Sequence, residues 1–377
     1  MKDEKSRSLL KAVGVFHEGV PGHRNQSLGI TEQLQEMTGC ISKEFEVPNF
    51  RGLERIRRVK GRLKKLPQLE SEELSKWLTR AGGDLILNEV RCWLEEAKIL
   101  PQEVLLISAG SRTAPYLLAV SRILGCQSAV LMTPKYLGTA PFDFGIIPSH
   151  DFMEERANEL VTLGAPNRIN RDEIKSMGEV LLKEFPSQGD RRWAILIGGE
   201  NSTFRIPPTW VEKSLSPILN RAQEEKVEIY LATSRRTRGE TEQAIQQLCK
   251  KYSNVRLVWL ASEHKENPVP GLLGLAERVF CTEDSISMVS ESLTAGKPVT
   301  LLQTEYIRGP KKTLKHWGLK LGFLSSRSAW KPDKFATLYN EFQSKGWLQE
   351  DEKKDCDVEI QFNEAKRAAH WIIDNWR

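Results

Sequence analysis

The stretch RVFCTEDSISMVSESLTAGKPVTLLQ, residues 278–303, reads as a strand, a helix and a second strand. RVFCT (278–282) and PVTLLQ (298–303) are apolar runs of strand length. Between them Ile286, Val289 and Leu293 recur at helical spacing, which predicts a buried stripe on a helix over 285–295. Gly296 closes that helix and Pro298 opens the next strand. Two strands joined by a crossover helix lie parallel, so the segment predicts a parallel sheet covered by helices.

The same alternation runs outward in both directions. WAILIGG (193–199), VEIYLATS (227–234) and VRLVWLA (255–261) are further strands, each followed by a loop. KAVGVF (11–16), ISKEFEV (41–47), EVLLISAG (103–110), QSAVLMTP (127–134) and FDFGIIPS (142–149) form an earlier series. The polar turn PSQGDRR (186–192) separates the two. An α/β fold of two similar domains follows, residues 1–187 and 188–345. The remaining segment, 346–377, ends in FNEAKRAAHWIIDNWR, with Ala365, Ala368, Ile372 and Trp376 near one helical face. That face predicts a terminal helix docked back on the first domain.

Composition sets bounds on function. No apolar run among the 377 residues approaches the ~20 needed to cross a bilayer, and the polar start MKDEKSRSLLKAVGVF does not read as a signal peptide. The six cysteines are scattered with no CxxC pair, which argues against a disulfide framework or a zinc site and for a reducing cytoplasm. No metal and no resident cofactor is expected. The net charge of +5 is local. NFRGLERIRRVKGRLKKL (49–66) carries eight Lys or Arg against the single Glu54. The run from Arg51 to Lys65 is a candidate contact for an anionic membrane surface or an anionic substrate, or else a solvated face. A cytoplasmic protein peripheral at the inner face of a membrane fits that charge. Nucleic acid is not expected as a partner, because no aromatic residues interleave the cations.

In open α/β sheets ligands gather at the carboxyl ends of strands, and four loops there carry chemistry. HEGVPGHRNQSLG (17–29) places Gly19 and Gly22 in a tight turn, with His23 and Asn25 at the start of the next helix. GGENSTFR (198–205) offers Gly198, Gly199 and Asn201 as phosphate donors. SRRTRGE (234–240) sets Ser234, Arg235 and Arg236 before a helix; one arginine suits a pyrophosphate and the other an acidic neighbour. In the opening stretch Asp284, Ser287 and Glu291 share one side of the helix that starts at Ser285. Asp284 reads best as a helix cap. Glu291, two turns in, is placed to accept both hydroxyls of a ribose. His150 and Asp151 in PSHD are either acid–base groups or a capping pair at a strand end.

These loops in this order resemble glycosyltransferases of the GT-B fold. In the peptidoglycan-type N-acetylglucosaminyltransferases a strand-GG turn and a helix with SE…AGxP build the donor site. The counterparts are Gly198-Gly199, Ser290-Glu291 and Ala295-Gly296-Lys297-Pro298. A closer resemblance is to the mitochondrial fission (elongated-mitochondria) family, through GVPGHRNQSLG (19–29), SAGSRTAP (108–115), FDFGIIPSHD (142–151), IGG (197–199), ATSRRT (232–237), NPVPG (267–271) and TEDSISMVSESLTAGKPV (282–299). The resemblance implies two Rossmann-like domains facing across a cleft, with a nucleotide sugar as co-substrate. It implies a metal-independent glycosyltransferase acting on a cell-envelope or lipid-linked acceptor, with His23 as first choice of base and His150 or Asp151 as second. A non-catalytic membrane-associated interaction protein, or an epimerase or hydrolase of nucleotide sugars, stands as the alternative. The donor helix of this chain follows Thr282-Glu283-Asp284, so a bound diphosphate would need those carboxylates offset by Arg235, Arg236, Lys297 or a cation.

Overall fold

A computed structural model describes residues 10–50, 52–149, 156–201, 203–307, 334–349 and 360–376. The chain divides into two compact units, residues 1–168 with 363–377, and residues 169–362.

The first unit is a parallel sheet of β1 (Ala12–His17), β2 (Ile41–Glu46), β3 (Val104–Ala109), β4 (Gln127–Leu131), β5 (Phe144–Pro148) and β6 (Glu159–Thr162). Their order is β2-β1-β3-β4-β5-β6, with every pairing parallel. Strand period decides which core each residue joins. In β1, Ala12 and Phe16 enter one apolar cluster with Leu106, Leu117 and Trp93. Val13 and Val15 enter the other, with Leu105, Ile107 and Ile30. A strand covered on both faces is apolar at nearly every position, and all six residues of β3 are buried. The helix Glu364–Asp374 covers the second face through Ala365, Ala368, Ala369, Ile372 and Ile373, the docking expected of the terminal segment.

The second unit holds β7 (Arg192–Ile197), β9 (Glu228–Thr233), β10 (Val255–Trp259), β11 (Arg278–Thr282) and β12 (Val299–Leu302) around β8 (Phe204–Arg205) and β13 (Glu305–Tyr306). The five long strands are parallel in the order β10-β9-β7-β11-β12, while β8 and β13 pair antiparallel. Both units are therefore α/β layers of the expected class.

The boundary expected at 187 falls instead at 168. The helix Arg171–Glu184 lies against the helix Val269–Leu275 of the second unit, so closely that a Cβ on Gly178 would stand 3.0 Å from the Gly274 carbonyl carbon. Only backbone-to-backbone contact at paired glycines permits that approach, and it binds the helix to the later half of the chain. The return to the first unit likewise begins at 363 and not at 346. Trp347 and Phe362 still pack on Phe342, and the Gln349 amide donates to the Val299 carbonyl, all within the second unit. The helices Ser71–Arg80 and Asp84–Ala97, inserted between β2 and β3, and the strand β6 have no counterpart among the expected elements.

Each sheet has one place where neighbouring strands send their chains in opposite directions, between β1 and β3 and between β7 and β11. Such switch points open a crevice at the carboxyl ends of the strands. Gly19, Gly22 and His23 follow β1 at the first, and Gly198, Gly199 and Asp284 follow β7 and β11 at the second.

Candidate functional site

At the switch point of the second unit, β7 ends in Gly198-Gly199 and β11 ends in Thr282, with Asp284 two residues on. The Gly198 amide donates to Thr282 Oγ1 at 2.7 Å and the Gly199 amide to Asp284 Oδ2 at 2.9 Å. The Glu200 amide donates to the Arg236 carbonyl. All three amides of this turn are therefore spent inside the protein, and the expectation that it offers them to a phosphate does not hold. Glycine is required here by crowding. A Cβ on Gly198 would sit 2.3 Å from both Asp284 oxygens, and one on Gly199 would sit 2.1 Å from the Arg236 carbonyl carbon.

Asp284 does not cap its helix, contrary to the sequence reading. The N-cap position of the helix Ile286–Thr294 is Ser285, with no side-chain cap bond. The Asp284 side chain is wholly buried and ties the Gly199 amide to the Arg236 guanidinium, which donates to the same Oδ2 at 2.9 Å. Its Oδ1 has no partner among the described residues. Glu283 faces another way, where its Oε1 accepts from the Thr304 amide at 2.7 Å and its carbonyl accepts from the Tyr339 hydroxyl. Both acids before the helix are thus engaged within the unit.

The two arginines separate as the sequence suggested, one to an acid and one outward. Arg236 pairs with Asp284, while Arg235 is exposed and among the described residues reaches only the Lys265 carbonyl, at 3.4 Å. Ser234 turns its loop, its hydroxyl accepting from the Arg236 amide at 3.1 Å. Asn201 likewise holds its own turn, Oδ1 accepting from the Thr203 and Phe204 amides at 2.7 and 2.9 Å.

What remains open lies on the helix Ile286–Thr294. Val289 and Leu293 anchor it with no exposed surface, while Ile286 of the expected stripe is only half-buried. Its first turn carries no acid and no side-chain cap, so the leading amides at Ile286, Ser287 and Met288 have no acceptor among the described residues. The side chains of Ser287 and Glu291 also make no hydrogen bond or ion pair among the described residues. Glu291 is half-buried, yet the surrounding protein desolvates its carboxyl enough to push it up to about 7. A helix N-terminus with free amides attracts anions, and a carboxylate further along the helix accepts hydroxyl donors.

The switch point of the first unit holds His23. Gly19 makes the turn after β1 in the left-handed region, φ 77°. Pro21 then starts the helix Pro21–Thr38, so Gly22, His23 and the half-buried Asn25 lie in its first turns. His23 Nδ1 stands 2.8 Å from Glu18 Oε1. An ionised carboxylate only accepts, so Nδ1 carries the proton and donates. The Glu18 side chain is 1% exposed, and its Oε2 has no partner among the described residues. Burial pushes the Glu18 carboxyl up, but the hydrogen bond and charge of His23, aided by Arg112, outweigh it and hold the group below the usual carboxylate range. An orphaned buried oxygen costs about 1–3 kcal/mol, so this pair is a strained polar centre rather than a filler of the core. The imidazole lies over Gly110 at the end of β3, where an added Cβ would come within 2.9 Å of its ring. Arg112 follows and donates to Asn49 Oδ1 at 3.0 Å.

Glu18 and Arg112 were not among the expected site residues. The signal for Glu18 was present, because a strand-to-helix turn brings an acid just past the strand back to a histidine five residues on. His150 and Asp151 lie outside the described residues, as does Arg51. The rest of the basic run forms the helix Gly52–Arg58 and a 3-10 stretch, Lys60–Gln68. Val59, Leu63 and Leu66 anchor it, while Leu53 and Ile56 are exposed at 82% and 50% beside Arg57 and Arg58. Among the described residues no group of three or more His, Cys, Asp or Glu side chains converges as a metal site would, and no helix is long and apolar enough to cross a membrane.

The profile of the family described as Mitochondrial fission ELM1 matches residues 21–376. No curated protein matches the sequence. Among solved structures the chain is similar to the UDP-GlcNAc 2-epimerase of Neisseria meningitidis bound to UDP-GlcNAc, at 13% identity and a TM-score of 0.47, covering 97% of this chain and 99% of that one. It is similar to MurG of Acinetobacter baumannii at 13% identity and a TM-score of 0.43, with the same coverages. The UDP-GlcNAc 2-epimerase of Methanocaldococcus jannaschii aligns at 12% identity and a TM-score of 0.49, covering 96% and 98%.

Proposed function

The chain belongs to the mitochondrial fission ELM1 family, and we propose that its second unit binds a nucleotide-activated sugar for transfer to a hydroxyl acceptor. The observation that carries this reading is the helix Ile286–Thr294, with free leading amides, no acid in its first turn and an unengaged Glu291 carboxyl. At ~1.5 Å per residue, Glu291 lies about 5–8 Å along the axis from those amides, a span suited to a diphosphate at one end and a ribose at the other. Ser287 stands one turn before Glu291 on the same side, and Arg235 is an exposed cation on the loop after β9 that suits the phosphates. Because Asp284 is neutralised by Arg236 and the Gly199 amide, it does not oppose an anion at the helix start. The acceptor hydroxyl needs a base, for which His23 is the first candidate and His150 or Asp151 the second. Epimerisation or hydrolysis of the same donor would use the same clamp.

A panel of nucleoside diphosphates and nucleotide sugars, read by thermal shift and calorimetry, tests the reading. Saturable binding is expected, and Glu291→Ala should raise Kd by about 10–100-fold, or about 1.4–2.8 kcal/mol. Equal affinity of variant and wild type would remove the ribose role. Absence of nucleotide binding at millimolar concentration would leave the second reading, a non-catalytic docking protein.

One observation favours membrane docking in either reading. The helix Gly52–Arg58 presents Leu53 and Ile56 to solvent with Arg57 and Arg58 exposed beside them. Apolar side chains enter the headgroup boundary while the arginines meet anionic lipid, each basic residue contributing about 1 kcal/mol near the surface.

A further inference from the structure

We propose that Glu18 and His23 act as one proton-accepting unit, with His23 Nε2 as the atom that takes a proton from a substrate hydroxyl and Glu18 as the positioning residue that fixes the imidazole. The geometry carries this at several points. Nδ1 donates to Glu18 Oε1 at 2.8 Å, which leaves Nε2 with the lone pair. No hydrogen bond or ion pair to Nε2 occurs among the described residues, and the imidazole remains about a third exposed, at 32%, while Glu18 is enclosed. The pair sits at the carboxyl end of β1, against Gly110 at the end of β3, which is the switch point of its sheet.

A structural role accounts poorly for these features. A carboxylate retained for stability would have both oxygens satisfied, whereas Glu18 Oε2 is buried and has no partner among the described residues. The Glu18 backbone carbonyl accepts from Asn49 Nδ2 at 3.5 Å, and Asn49 Oδ1 accepts from Arg112, so the turn is held from β2 and β3 together. The turn is thereby fixed with the base at its rim.

The chemical class of substrate is an alcohol, such as a sugar or lipid hydroxyl. Its O–H proton passes to Nε2, giving an imidazolium whose Nδ1–H stays donated to the ionised Glu18. The oxygen keeps the electron pair of the broken O–H bond as an alkoxide, and only for the use of that alkoxide does the step rest on the proposed function.

Imidazole 15N spectroscopy on the full-length protein tests the pair without any nucleotide. At about pH 8.5, roughly two units above the ordinary histidine value, neutral His23 should show a protonated Nδ1 and a lone pair on Nε2, the signal being assigned by its loss in His23→Gln. Glu18→Ala should move the proton to Nε2 and slow acylation of His23 by diethylpyrocarbonate roughly tenfold. A wild-type His23 protonated on Nε2 would overturn the proposal, as would a Glu18→Ala spectrum and acylation rate equal to wild type with only the melting temperature lowered. If Glu18→Ala does not fold, the wild-type tautomer decides alone. A protein that shows this tautomer but binds no nucleotide keeps the pair and loses the donor site. The reverse result keeps the donor site and loses the pair.

Discussion

Arg236 donates to Asp284 Oδ2 at 2.9 Å, the same oxygen that takes the Gly199 amide at 2.9 Å. One buried carboxylate thus joins the ends of β7 and β11 to the loop after β9, and the crevice at the switch point is shaped by that bond. Arg236→Ala leaves a buried charge with its backbone donor alone. A loss of about 1–3 kcal/mol is expected, at the lower end because the arginine side chain is 41% exposed to solvent. Asp284→Ala should cost at least as much, since it also frees the Gly199 amide. A double-mutant cycle by urea denaturation should return a coupling of about 0.5–3 kcal/mol, and additive single effects would deny the bond any energetic weight.

The terminal helix should behave as part of the first core. Ile372 has no exposed surface and packs among Ala368, Ile30 and Leu105 of one cluster. Ile372→Ala removes buried methyl groups and leaves a cavity, for about 2–5 kcal/mol. Trp371→Ala should cost less, because that ring is only half-buried, meeting Phe144 edge-on at 5.6 Å. Thermal melts of the two variants should keep that order.

The sequence discloses the sheets better than the bonds at their ends. Strand runs such as WAILIGG and RVFCT are legible because burial on both faces leaves apolar residues at consecutive positions. The two helices between β2 and β3 are absent from the expected elements, although Leu74, Trp77 and Leu78, then Ile86, Val90 and Trp93, recur at helical spacing on either side of the Gly82-Gly83 turn. The loop motifs lie at the carboxyl ends of strands, yet their amides have other duties than the sequence suggests. Gly198 and Gly199 look like phosphate donors, but their amides are spent on Thr282 and Asp284, partners 84 and 85 residues away in the chain. No local pattern reveals such a pairing. Glu18 shows the converse. Its spacing of five residues from His23 across the glycine turn is a signal in the sequence, and the folded turn adds that Glu18 Oε1 meets the imidazole Nδ1.

The helix Gly52–Arg58 makes a separable prediction. Leu53 and Ile56 are exposed, so Leu53→Asp with Ile56→Asp should change the melting temperature little. The same pair should abolish sedimentation with vesicles of anionic lipid, and reversal of Arg57 and Arg58 to Glu should do so too. Wild-type binding should weaken as salt rises, since the Debye length shrinks from about 10 Å at 0.1 M to about 3 Å at 1 M. Vesicle binding unchanged by either double substitution would remove the membrane role of this surface.

Glu291 couples stability and ligand affinity to pH with opposite signs. Its carboxyl is raised from 4.5 to about 7 in the folded chain by desolvation. Between these values the native state holds a proton that the unfolded state has lost, so stability falls as pH rises through the window and levels off above about 7. Glu291→Gln should therefore stabilise the unliganded protein by about 1–3 kcal/mol at pH 8 and have little effect near pH 4. A ribose hydroxyl pair needs the ionised acceptor. Nucleotide affinity in the wild type should then rise by about tenfold per pH unit up to about 7 and flatten beyond it. The Glu291→Gln variant should bind weakly with no such slope. Calorimetric titrations from pH 5.5 to pH 8 give both curves (about 5.5 and 8 bracket the carboxyl on either side), and an equally steep slope in the variant would assign the titration to a different group.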